Sequence, residues 1–379
     1  MIENSGITVN TGTSVNAKSP FVNPLAEKKS FIRKLRSWFR HAARSLPWRD
    51  TQDPYAIWIS EVMLQQTTVA AVQPYYRRFL EEFPTVHHLA RADEIRVLTL
   101  WAGLGYYRRA RMLHDAAKII VTQWRGEFPR DPARLLELPG VGRYTANAVV
   151  CFAYDWPVAT VETNTARVLS RLFGKKLSGA GVTAWHWQIA KELLPGRACR
   201  EYNYALMDLG SLICTAKAPR CSDCPLQKWC ASYQRELTVA VKDCPRKGQT
   251  FVNLEWDIFV FFKDGPAPSI LMRRIPDGEW HAGLYGLPYR ECSDMCSTVS
   301  GSGQLATNVG EFTFYVTHHR IRARVWLLDG SACANRVGLH LRGDRGELEW
   351  ISVREARALP LATPYRRALE FLEKAVWKL

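Results

Sequence analysis

The stretch that leaves this chain fewest choices is CTAKAPRCSDCPLQKWC, residues 214–230. Cys214, Cys221, Cys224 and Cys230 form a C-x6-C-x2-C-x5-C array. Four thiols in so short a loop raise two readings, a disulfide framework or a shared metal centre. The N-terminal MIENSGITVNTGTSVNAKSP has no basic region followed by an apolar one, so it does not read as a secretory signal. It is polar and is expected to be disordered. No apolar run reaches membrane-spanning length. A reducing compartment follows, which disfavours a disulfide framework. Thiolates hold zinc or iron–sulfur clusters. Zinc sites usually show two C-x2-C pairs, and here there is one. The long first gap suits a cube better than a single ion. Lys217, Arg220 and Lys228 ride on the same loop and would offer positive charge to a phosphate backbone. Cys151, Cys199, Cys244, Cys292, Cys296 and Cys333 lack ligand spacing and read as ordinary thiols.

Upstream of that loop the texture is helical. FIRKLRSWFRHAARS, PYAIWISEVMLQ, VAAVQPYYRRFLEEF, RARMLHDAAKIIVTQW, RYTANAVVCFAY and EYNYALMDLGSLIC all carry apolar residues at helical spacing. DPARLLEL opens with an Asp cap and Pro in the first turn. Downstream, WDIFVFFK, SILMRRI, EFTFYVTHH and RIRARVWLL read as strands, and VREARALP and TPYRRALEFLEKAVW as helices. The 379 residues therefore divide into an expected tail (1–27), an all-α domain (28–234), a linker (235–253) and an α+β domain (254–379). A formal net charge of +15 points to a polyanionic partner.

Between two helical patterns lies LELPGVGRYTANAV. Gly140 and Gly142 let the backbone turn tightly and approach another molecule. With Val141 they precede a helix whose first N–H groups suit a DNA phosphate.

This helix–hairpin–helix, together with the cysteine array, resembles the endonuclease III superfamily of DNA glycosylases. LPWRDTQDPYAIWISEVMLQQTTVAAVQPYYRRF and LTLWAGLGYYRRARMLH are similar to its adenine DNA glycosylase branch, the MutY family. The resemblance spans roughly residues 30 to 232. It implies an all-α helix-hairpin-helix glycosylase domain with a [4Fe–4S] loop, and the centre itself is read as bracing that loop. GEWHAGLYGLP and VTHHRIRARVW resemble, more weakly, the family's Nudix-like C-terminal module. A Nudix hydrolase needs a Glu-rich box after the Gly segment, and ECSDMCSTVSGSGQ has none, so this module is expected to bind without hydrolysis. The implied partner is double-stranded DNA with A opposite 8-oxoguanine or G. The implied state is a monomer in the bacterial cytoplasm.

Removing adenine needs an acid to protonate the base and an anion near the cationic sugar. Glu61, in SEVMLQQT, matches the family's acid. Helical spacing sets Ile59, Val62 and Met63 on one face and Glu61, Gln65 and Thr68 on the other, and the apolar flank would desolvate the carboxyl. Glu162 stands where the superfamily has Asp, in the segment Val161–Val168. It is expected to stabilise the oxocarbenium ion, with a helix cap as the bland alternative. Asn164 matches a residue beside that carboxylate. Tyr144 replaces the Lys with which bifunctional relatives form a Schiff base, so the enzyme is expected to be monofunctional. Gln66 resembles the family's intercalating Gln, Leu104 and Tyr106 its duplex probes, and Trp48 and Arg49 its pocket residues. Tyr204 stands where the family has Glu or Gln against adenine. Thr317 and His318 replace a Ser-His pair that reads 8-oxoguanine. These departures leave a thymine or uracil mismatch glycosylase, or a non-catalytic lesion-binding protein, as alternatives.

Overall fold

The computed structural model describes residues 21–175, 182–235, 251–292, 306–330 and 348–376. Residues 1–20 of the expected tail, 236–250 of the expected linker, Cys244, Cys296, Cys333 and most of ECSDMCSTVSGSGQ lie outside the described residues, and the end of the expected linker belongs to the first strand.

Twelve helices come first among the described residues: α1 (Lys28–Ala42), α2 (Pro54–Met63), α3 (Val69–Glu82), α4 (Val86–Arg91), α5 (Glu94–Trp101), α6 (Arg108–Trp124), α7 (Pro132–Leu135), α8 (Arg143–Tyr154), α9 (Thr163–Leu172), α10 (Ala184–Leu193), α11 (Cys199–Asp208) and α12 (Ala231–Gln234). Local chemistry sets their ends. Asp53 accepts the Tyr55 N–H and Pro54 opens α2, while Asp131 and Pro132 do the same for α7. Helix α1 buries Phe31, Leu35 and Phe39, one stripe at i, i+4 and i+8. Helix α2 is different, because every residue from Tyr55 to Met63 is buried.

Helix α2 also ends early. The expectation that Gln65 and Thr68 share a helical face with Glu61 fails, since α2 stops at Met63. Thr68 instead caps α3 by accepting the Ala71 N–H. The side-chain spacing was sound only for as long as the helix ran.

The sheet has strands β1 (Val252–Lys263), β2 (Ser269–Arg274), β3 (Tyr285–Gly286), β4 (Tyr289–Cys292), β5 (Ala306–Val316), β6 (His319–Asp329) and β7 (Leu348–Ser352). Its order is β3-β2-β1-β6-β5, with β4 on β1 and β7 on β2. Only β1 and β6 are parallel among these pairs. Strand β1 gives one edge to β6 along its length and divides the other between β4 and β2. Its middle, Trp256–Phe261, is therefore buried throughout, as a near-continuous apolar run in a central strand requires. The exception is Asp257, only 1% exposed. It accepts hydrogen bonds from Arg290 Nη2 at 2.9 Å, Arg324 Nε at 2.8 Å and Trp326 Nε1 at 2.8 Å. Helices α13 (Val353–Ala358) and α14 (Thr363–Val376) complete the α+β half, with Tyr365, Ala368, Leu369 and Leu372 of α14 buried. Residues Thr317 and His318, read as strand ends, form the turn between β5 and β6.

The chain groups into two compact units, one drawn from Met1–Arg44 and Pro157–Cys244, the other from Ser45–Trp156 and Pro245–Leu379. The sheet thus shares a unit with α2 to α8, while α9 to α12 share one with α1.

Candidate functional site

Glu61 lies in the last turn of α2 and is 3% exposed. The helix end beyond it is held by a residue that sequence reading did not single out. Arg109, near the start of α6, donates from Nη1 to the carbonyls of Val62 at 2.8 Å, Met63 at 2.9 Å and Gln65 at 2.5 Å. From Nη2 it donates to Thr67 Oγ1 at 3.1 Å and the Gly105 carbonyl at 3.2 Å. One guanidinium therefore takes up the orphan carbonyls of α2 and ties them to a second loop. Burial pushes the Arg109 guanidinium down to about 10, still charged at neutral pH. Nothing local marks it in YYRRARM, since its partners are 42 to 47 residues upstream apart from Gly105.

The loops that Arg109 joins carry the probe candidates. Gln66 is exposed at φ +61°, and Tyr106 is 58% exposed at φ +50°. Both lie in the left-handed region, which costs a non-glycine residue about 1 kcal/mol or more. Such strain persists only where the surroundings impose it. For Tyr106 they do: Trp101 Nε1 donates to the Gly105 carbonyl at 3.1 Å, and the Gly103 N–H donates to the Tyr107 hydroxyl at 3.2 Å. Leu104, expected as a probe, is buried at 7% exposure. Trp48 sits on a 3-10 turn, buried and edge-on to Tyr76 at 5.4 Å, with Arg49 half-buried beside it.

The hairpin follows the expected form. Gly140 has φ +75°, and a Cβ there would lie 2.9 Å from Met112 Cβ. Val141 donates its N–H to the Leu138 carbonyl at 3.2 Å. Gly142 is the N-cap of α8 and is exposed, so no side chain covers the start of that helix. Tyr144 lies in the first turn of α8 and is half-buried.

In the other unit, Glu162 does cap α9. Its Oε2 accepts the Asn164 N–H at 2.7 Å, and its Oε1 accepts the Thr165 N–H at 2.8 Å and the Thr165 hydroxyl at 3.2 Å. Glu is not among the favoured N-cap residues, but its extra methylene still lets it span two amides. Those amides and the helix dipole stabilise negative charge there. Asn164 Oδ1 accepts from Arg167 Nη2 at 2.9 Å. Gly210, in the π-helical turn after α11, packs so closely on Asn164 that a Cβ would lie 2.8 Å from Asn164 Cβ. Tyr204, on α11, is buried.

Helix α9 also holds the cysteine loop. Arg167 Nε donates to the Cys214 carbonyl at 2.9 Å. Arg171, 6% exposed, donates to Cys214 Sγ at 3.3 Å, the Thr215 carbonyl at 2.6 Å and the Ala216 carbonyl at 2.9 Å. Cys214, Cys221, Cys224 and Cys230 are all free thiols. Burial and the charges of the other three push the Cys224 thiol up to about 12, and burial with Cys214 and Cys221 pushes Cys230 up to about 11. Crowded, partly desolvated thiols beside a guanidinium suit a thiolate-held metal centre, whose charge offsets their mutual repulsion. Among the described residues, no three His, Cys, Asp or Glu side chains already close on a single ion. Of the loop cations, Lys228 pairs with Glu27 at 2.7 Å and Arg220 with Asp223 at 3.8 Å, while Lys217 is exposed.

Thr317 sits at φ +51° in the β5–β6 turn, and its hydroxyl lies 3.4 Å from His318 Nδ1. Three of the seven left-handed non-glycine residues among those described, Gln66, Tyr106 and Thr317, are thus residues expected to touch DNA. Arg125, Asp155 and Ala198 are helix termini, and the seventh is His281.

Comparison with known proteins bears on these sites. Residues 59–180 match the model of the HhH-GPD superfamily base excision DNA repair proteins. The chain is 37% identical over 358 residues to an adenine DNA glycosylase of Buchnera aphidicola, an alignment covering 91% of this chain and 97% of that one. It is 41% identical over 222 residues to the adenine DNA glycosylase of Homo sapiens, covering 56% of this chain and 41% of the human one. Among solved structures, a thermostable thymine-DNA glycosylase superposes with a TM-score of 0.53 at 31% identity, covering all of that chain but 56% of this one. No helix among the described residues is long and apolar enough to cross a membrane.

Proposed function

Because this chain belongs to the adenine DNA glycosylases of the HhH-GPD superfamily, we propose a division of labour among its residues. The protein is an adenine DNA glycosylase, a hydrolase of N-glycosyl bonds that works in base excision repair. The observation that carries this is the reach of the likeness. The bacterial relative aligns over 91% of the chain, sheet included, whereas the thymine-DNA glycosylase accounts for 56%.

In the proposed reaction the adenine is flipped out of the duplex, and Glu61 gives a proton to the departing base. The glycosidic electron pair leaves with adenine, so the sugar becomes oxocarbenium-like. Glu162 supplies the opposing negative charge and takes a proton from the water that adds to the sugar carbon. The products are free adenine and an abasic site. The support for Glu162 is its pair of backbone donors, which fix the carboxylate in place. Asn164 holds the same helix turn. Tyr144 has no amine, so no Schiff base forms and the strand stays intact. Gln66 and Tyr106 enter the duplex from strained, exposed positions, with Leu104 behind Tyr106. The amides after Gly140, Val141 and Gly142 bind a phosphate. Trp48 and Arg49 contact the flipped base, Tyr204 is the residue that would answer the adenine edge, and Thr317 and His318 read 8-oxoguanine opposite.

A [4Fe–4S] cluster on Cys214, Cys221, Cys224 and Cys230 would brace the loop and offset its thiolates. Arg167 and Arg171 then transmit that bracing to α9, whose other end is Glu162.

The test is single-turnover release of free base from duplexes holding A opposite 8-oxoguanine, with T:G and U:G duplexes alongside. Adenine release alone, without strand cleavage before alkali, is expected. Thymine or uracil release would transfer the site to the mismatch reading.

A further inference from the structure

The segment Pro276–Leu284 belongs to the sheet half yet makes contacts in two directions. Towards the helices, Asp277 pairs with Arg111 Nη1 of α6 at 2.8 Å, and Arg111 also meets Glu94 at 3.6 Å. Gly283 has φ +82°, and a Cβ there would collide with the Arg111 guanidinium, so this backbone lies directly on the arginine. The His281 ring stands edge-on to Tyr107 at 6.3 Å. Tyr107 in turn receives the Gly103 N–H, closing the loop that presents Tyr106. Towards the sheet, Trp280 stacks on Trp256 at 5.8 Å and packs against His319 at 4.8 Å. His319 lies 4.1 Å from His318, ring to ring. Adjacent residues, Trp280 and His281, thus reach the two places where the proposed DNA contacts sit.

His281 itself is held at a cost. Its φ is +68°, its Nε2 is buried with no hydrogen-bond partner, and burial pushes its imidazole down to about 4. A neutral ring in a left-handed backbone is unfavourable unless the position is imposed by its surroundings.

We infer that Trp280 and His281 are positioning residues that couple the Thr317–His318 turn to the Gly103–Tyr106 loop, so that the two engage a lesion as one unit. Neither residue touches the reacting atoms. Their contribution is to make the two contacts cooperative. The inference rests on the reading of Tyr106 and His318 as DNA contacts.

The experiment is a double-mutant cycle on binding to a duplex with a tetrahydrofuran abasic analogue opposite 8-oxoguanine. Tyr106→Ala and His318→Ala are each expected to weaken binding about tenfold, the scale of one lost stacking or hydrogen-bonding contact. Together they should weaken it only about tenfold to thirtyfold, because coupled contacts are lost together. In a His281→Asn background, where Asn tolerates the left-handed backbone but brings no ring to Tyr107, the two effects should multiply to about a hundredfold. Arg111→Gln serves if His281→Asn does not fold. Multiplicative effects in the native chain, or the same coupling in both backgrounds, overturn the inference while leaving the DNA contacts standing. If neither single substitution weakens binding, the reading of the contacts falls, and the inference with it.

Discussion

Glu61 and Glu162 are the same side chain in opposite settings. Glu61 sits in the final turn of a helix buried on all sides, with 3% exposure. Glu162 sits at the first position of an amphipathic helix and receives three hydrogen bonds from Asn164 and Thr165. The first setting holds a carboxyl away from bulk water. The second fixes a carboxylate with two backbone donors and a hydroxyl at the start of a helix. Enzymes that need an acid and an anion together separate them by environment in this way. Asp257 supplies a third case. It is as buried as Glu61, and it accepts from Arg290, Arg324 and Trp326, which ties β1 to β4 and β6.

The sharpest way to break this comparison is Glu61→Gln, which keeps size and removes the proton. Single-turnover adenine release should fall by about 10²–10⁴-fold, the usual range for losing a general acid. A drop below tenfold would remove Glu61 from the chemistry. Asp257→Asn should instead leave the chemical step unchanged and cost about 3–5 kcal/mol of stability, because Arg290 and Arg324 lose the buried carboxylate that accepts from them. A thermal melt beside the rate assay separates the two outcomes.

The Asp257 carboxyl also gives a pH signature. Burial pushes it up, but hydrogen bonds from Arg290, Trp326 and Cys292 and the charge of Arg324 outweigh that, and it lies below the ordinary carboxylate range. Its stabilisation is therefore complete above the unfolded value near 4 and is lost as pH falls through the lower folded value. The native melting temperature should drop through that acid window, and less steeply in Asp257→Asn.

Next in size is Glu162→Gln. The amide keeps one acceptor oxygen where the carboxylate offers two, and the negative charge is gone. Turnover should fall more than tenfold, while the lost cap costs about 1 kcal/mol. A cap-sized stability loss with turnover intact would reduce Glu162 to the bland role. The mildest test is Arg109→Ala. It leaves both carboxylates in place but frees the carbonyls at the end of α2 and releases the Gln66 and Tyr106 loops from one another. Stability should fall by about 1–3 kcal/mol, and binding to lesion duplex should weaken more than the chemical step slows. Gel-shift affinity compared with single-turnover rate reads that split.

Much of this could be read from the sequence because the rules involved are local. The caps at Asp53 and Asp131, the left-handed Gly140, the strand texture of β1 and the cysteine spacing each depend on a few neighbouring residues. The four cysteines and the helix–hairpin–helix were enough to point to the family. Other features were set by chain segments far apart. Helix α2 ends at Met63 because a guanidinium from α6 takes its carbonyls, and no periodicity within α2 announces that. Arg171 meets Cys214 across 43 residues, and Gly210 accommodates Asn164 across 46. Leu104, a probe by resemblance, is buried because its turn folds under Trp101 and Tyr107. Sequence by itself determined which residue types carry the chemistry and which short motifs present them, since propensity and spacing act over a few residues. Tertiary structure alone decided which carboxylate is buried, which is capped and which is fully paired, because solvation and charge neutralisation depend on whatever the rest of the chain brings alongside.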